Sequence, residues 1–84
     1  MMEAKTKIIS INKMKPGEHG KVVEIQGGQG ARRRLQALGI REGKKLTKIS
    51  AQFFWGPVTV KVGNTVLAIG HGLSGKIMVG VSGK

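Results

Sequence analysis

The stretch KPGEHGKVVEIQGGQGARRRLQALGIREG, Lys15 to Gly43, constrains this chain more than any other. It orders a turn at Pro16-Gly17, a β-branched run from Lys21 to Gln26, a glycine-rich hinge at Gly27, Gly28 and Gly30, one short basic helix ending at Gly39, and a second turn at Arg41-Glu42-Gly43-Lys44. A helix of about nine residues is marginal alone in water, so it has to dock on something. The rest of the chain supplies only short strands for it to dock on.

Those strands are read from alternation and turn signals. His19 to Gln26 is the first clear strand, with Val23 and Ile25 expected on one face and Val22 and Glu24 on the other. Lys45 to Ala51 is less regular, with Leu46 and Ile49 as its apolar members. Val58, Val60 and Val62 alternate with Thr59 and Lys61, the Gly63-Asn64 pair makes a hairpin turn, and Val66 to Ile69 returns. Gly70 to Gly75 reads as an irregular turn before Ile77, Val79 and Val81. Ile8, Ile9, Ile11 and Met14 are apolar anchors ahead of the first turn, and residues 1–7 read as a loose tail. One domain over 8–82 follows. It is expected to be all-β: an SH3-like five- to six-stranded β-barrel with one short α-helix inserted after the first strand. Closure of such a barrel hides strand edges.

In the helix, Ala31, Leu35 and Leu38 form an apolar stripe, and Arg32, Arg33 and Gln36 point away from it. Gly39 stands where a left-handed cap belongs, with Ile40 placed for the accompanying apolar contact. Arg34, beside the stripe, is expected to lie along the barrel with its stem covering apolar surface.

With 84 residues and no cysteine, the chain has neither disulfides nor thiolate metal sites. The opening MMEAKTKIIS lacks a continuous apolar core of the signal-peptide kind, and a cytoplasmic location is expected. The net charge is +11, from 15 basic and 4 acidic residues, which asks for an acidic partner such as a protein face, an anionic membrane surface or nucleic acid. Four scattered glutamates, with no aspartate, cysteine or tyrosine, leave little from which to assemble acid–base catalysis, so no enzyme is expected. Ser74 lacks the glycine spacing and context of a nucleophile elbow. Gly27-Gly28-Gln29-Gly30 precedes a helix but lacks the lysine and hydroxyl residue of a phosphate-binding loop.

Met14-Lys15-Pro16-Gly17, Gly20-Lys21-Val22-Val23-Glu24-Ile25, Arg34-Leu35-x-x-Leu38-Gly39-Ile40 with Gly43, and Gly56-Pro57-Val58 occur in order, followed by Val66-Leu67-Ala68-Ile69 and Ile77-x-Val79. In this ordered set the chain resembles the FeoA family, a small component of bacterial ferrous-iron uptake systems, over roughly residues 11 to 81. The resemblance implies an SH3-like barrel and a non-enzymatic role beside the membrane iron permease, with the permease's cytoplasmic GTPase domain as partner. It also implies likeness to the C-terminal module of iron-dependent repressors. On that reading the chain is cytoplasmic and recruited to the inner face of the membrane by its partner.

The candidate contact residues are Arg32, Arg33 and Gln36 on the helix and Phe53, Phe54 and Trp55 in the loop before Gly56-Pro57, since aromatics favour binding hot spots. A second reading is a nucleic-acid-binding SH3-like barrel. A third is direct binding or sensing of Fe(II) or another divalent transition metal, for which Glu18, His19 and His71 are the available donors. The expected state is without a resident cofactor.

Overall fold

A computed structural model describes residues 5–50 and 56–83. Its strands are β1 (Lys5–Ser10), β2 (His19–Ile25), β3 (Lys45–Ser50), β4 (Val58–Val62), β5 (Thr65–Ile69) and β6 (Ile77–Gly83). They form one antiparallel sheet in the order β1-β6-β2-β3-β4-β5. A 3₁₀ turn (Ile11–Lys13) follows β1, helix α1 (Gln29–Ala37) joins β2 to β3, and a single-turn helix α2 (His71–Ser74) joins β5 to β6.

Period-two alternation explains most of the core. Val58, Val60 and Val62 of β4 and Ile77, Val79 and Val81 of β6 are buried together with Ile69, Leu46, Val22 and Ile25, as one cluster. A single sheet whose strands all contribute to one cluster has to curl around it, in agreement with the SH3-like expectation. Each such aliphatic side chain contributes about 1.5–3 kcal/mol on full burial.

Several expectations are corrected. Lys5–Ser10 pairs with β6 along its whole length, so the sheet begins inside the presumed tail and α1 follows the second strand rather than the first. Ile8 faces outward, while Ile11 and Met14 anchor the core. In β2 the buried pair is Val22 and Ile25, not Val23 and Ile25, because the pairing with β6 shifts register between Val22 and Glu24. That bulge lets residues three apart face the same way. In β3 the backbone alternation places Leu46 and Lys48 inward and leaves Ile49 exposed. Leu38 is exposed too, so the stripe on α1 narrows to Leu35. Finally, the Gly70–Gly75 connection contains α2 rather than an irregular turn.

Candidate partner-binding surface

Helix α1 is seated by one buried side chain and one cap. Leu35 is its sole buried residue. Past the C-cap Leu38, the Gly39 amide donates to the Gln36 carbonyl at 2.9 Å and the Ile40 amide to the Leu35 carbonyl at 2.9 Å. Gly39 has φ of +91°. These bonds are the two that define a Schellman cap, and buried Ile40 beside Leu35 in the core adds its apolar contact.

The cap and stripe aim the basic residues. Arg32 is held to the fold: its guanidinium donates to the Ile25 carbonyl at 2.9 Å and to the Glu42 carboxylate at 3.2 Å. The second contact is an ion pair between half-exposed side chains. The Glu42 carboxyl lies below its ordinary value, first through a hydrogen bond from its own backbone amide, with the Arg32 charge adding to the effect against some desolvation. Arg33, Arg34 and Gln36 are exposed. Among the described residues neither Arg33 nor Arg34 makes an ion pair. Gln29, Arg32, Arg33 and Gln36 line a shallow, open depression of about 320 Å³. It is Arg32, not Arg34, that lies against the barrel.

The other expected residues fare differently. Phe53, Phe54 and Trp55 lie outside the described residues. Glu18 accepts a hydrogen bond from the Lys15 amide at 2.9 Å within the Pro16-Gly17 turn. His19 opens β2 opposite Thr47, and His71 opens α2. Among the described residues no three histidine, aspartate or glutamate side chains form a group able to hold a metal ion. Ser74 is fully buried, with its hydroxyl 2.6 Å from Asn12 Oδ1 and 3.1 Å from the His71 carbonyl oxygen, so it secures α2 to the 3₁₀ turn.

Sequence reasoning missed Lys48. It is 1% exposed, and its Nζ donates to the carbonyls of Ile11 (3.1 Å), Asn12 (3.4 Å) and Met14 (2.7 Å). Burial pulls its pKa below the ordinary lysine value, and the nearby Glu18 charge partly restores it. Strand parity was the available signal, since Lys48 stands two residues from the inward Leu46.

The family model for the FeoA domain matches residues 9–81. The chain belongs to the FeoA family. This FeoA domain is 45% identical over 65 residues to a chain of Methanocaldococcus jannaschii that carries the provisional name Fe(2+) transport protein A, covering 77% of each. A crystal structure of an iron uptake regulatory protein (FeoA) superposes with a TM-score of 0.79 at 36% identity, over 87% of this chain and 95% of that one. FeoA of Stenotrophomonas maltophilia, solved with zinc and described as a prokaryotic SH3 domain protein, is 20% identical with a TM-score of 0.72, over 84% and 88% of the two chains. A manganese-dependent transcriptional repressor shares the fold over 96% of this FeoA domain but 44% of its own length, with a TM-score of 0.80 at 20% identity. No helix among the described residues of the domain is long and apolar enough to cross a membrane.

Proposed function

We propose that this FeoA domain is a non-enzymatic accessory of ferrous-iron uptake that works in the cytoplasm by docking on the GTPase domain of the iron permease. The observation that carries the reading is the exposed face of α1. Arg32 is fixed by Ile25 and Glu42, while Arg33 and Gln36 stand open beside it around a shallow polar depression. A pre-ordered guanidinium with a free neighbour suits carboxylate side chains of an acidic protein face, because less freedom is lost on contact. The aromatic loop Phe53 to Trp55 is the second candidate contact. The transport role draws on family membership and on the name of the M. jannaschii relative.

The test is a calorimetric titration of the permease's soluble GTPase domain with wild-type protein and with Arg33→Glu/Gln36→Ala, with and without guanine nucleotide. Wild type binds saturably and the variant at least tenfold more weakly. Equal affinities would move the contact away from α1, and no binding by wild type in either nucleotide state would end the docking reading.

A further inference from the structure

The sheet register gathers charges that lie far apart in sequence. Lys21 of β2 stands directly opposite Lys45 of β3. Lys61 of β4 stands opposite Thr47, one outward position along from Lys45. All three lysines are exposed on the outer face, on three adjacent strands. Like charges directly opposite on a sheet disfavour folding. Among the described residues none of the three has an acidic partner to offset that cost.

Aliphatic side chains flank the cluster. Val66, 57% exposed, is paired with Lys61 on one side. On the other side Lys21 pairs with Gly80, and Gly80 with Ile8, which is 59% exposed. Gly80 has no side chain, and Thr6 Cγ2 and Val23 Cγ1 close over it, each 3.3 Å from where a Cβ would stand. Val23, on the same outer face, is 41% exposed.

We propose that this lysine face adsorbs the protein on an anionic phospholipid surface. The residue types favour lipid over nucleic acid. The face uses lysine throughout, a mobile point charge suited to a fluid headgroup layer, whereas arginine forks serve base and phosphate recognition. Exposed valine and isoleucine gain nothing from a phosphate backbone but lose water at the headgroup boundary. Lysine stems cover apolar surface while their ammonium groups reach outward. The adsorption needs no protein partner, so it stands apart from the permease docking.

The experiment is co-sedimentation with vesicles of phosphatidylcholine alone and of phosphatidylcholine mixed two-to-one with phosphatidylglycerol, at physiological and high salt. The proteins are wild type, Lys21→Gln/Lys45→Gln/Lys61→Gln, the three single variants, and Arg34→Gln as control. Each lysine near an anionic surface is worth about a factor of five, so the triple variant loses about a hundredfold in affinity. Wild type binds only the anionic vesicles and is released by salt, and the arginine control stays within a few-fold of it. Should the triple variant misfold, the single variants carry the test, each losing about fivefold. Equal binding to both vesicle types, or undiminished binding by the lysine variants, overturns the proposal. So does release of vesicle-bound wild type by a short DNA duplex through the same lysines, which would make this a nucleic-acid face. Failure here with intact titration of the GTPase domain would remove the lipid surface and leave the docking reading standing.

Discussion

Lys48 Nζ lies 2.7 Å from the Met14 carbonyl oxygen, across a gap of 34 residues in the chain. The same residue works in two directions. Its side chain gathers the carbonyls at the end of the 3₁₀ turn. Its backbone carbonyl accepts from the Gly17 amide at 2.7 Å, and its amide donates to Glu18 at 2.9 Å. One residue of β3 therefore fixes the whole segment from Ile11 to Glu18 against the sheet. A buried amine is tolerated there because three acceptors replace its water.

Lys48→Met removes the donor and takes from the buried Met14 carbonyl its bond to Nζ, while the Ile11 carbonyl keeps its bond from the Met14 amide at 3.0 Å. The expected loss is about 1–3 kcal/mol of unfolding free energy, since an unsatisfied buried acceptor costs more than the net worth of the bond. Urea denaturation of both proteins checks it. A change below the error of the extrapolation would show that water enters the site.

The same lysine sets an alkaline slope. Its folded pKa lies below the unfolded value of 10.5. At pH below the folded pKa both states are charged and the contribution is flat. Between the folded pKa and 10.5 the unfolded chain holds more protons, so stability rises with pH. Wild type should thus gain on Lys48→Met as pH climbs through that window. A difference that stays flat or shrinks there would contradict the assigned protonation.

Glu42 gives the opposite edge of the pH range. Its depressed carboxyl contributes stability present above the ordinary carboxylate value of 4.5 and lost as pH falls through the folded value. Arg32→Gln should raise the Glu42 midpoint, followed by carboxyl NMR. It should not restore the ordinary value, because the backbone hydrogen bond is the larger cause and survives the change. A full return to 4.5 would assign the shift to Arg32 alone.

Much of this architecture could be read from the residues themselves. The β4–β5 hairpin, the β6 alternation and the cap at Gly39 are set by neighbours within a few positions, where periodicity and turn chemistry act. What escaped depends on partners distant in sequence. Lys5 to Lys7 form a strand because β6 lies beside them, not through any alternation of their own. The bulge that turns Val23 outward arises in the pairing with β6. Composition marks a lysine as exposed, yet Lys48 is buried by strand parity and by carbonyls contributed from residues 11 to 14. On the candidate surface, Arg32 and Arg33 look equivalent in sequence, and only Glu42 and the end of β2 separate the anchored arginine from the open one.

Two glycines of the same stretch should respond in opposite directions to alanine. At Gly20 a Cβ would stand 2.6 Å from Val79 Cγ1 and press on the Gly80 carbonyl oxygen of β6. Backbone cannot yield as a side chain can, so Gly20→Ala is expected to cost about 1–3 kcal/mol through overpacking. At Gly30, inside α1, a Cβ would meet nothing within 4 Å. There the methyl group restricts the unfolded chain and favours the helix, so Gly30→Ala should stabilise by about 0.4–1 kcal/mol. Thermal denaturation of the two variants gives the comparison directly. Both melting temperatures raised would mean that the close approach of β2 and β6 at Gly20 relaxes, and both lowered would contradict the gain assigned to Gly30.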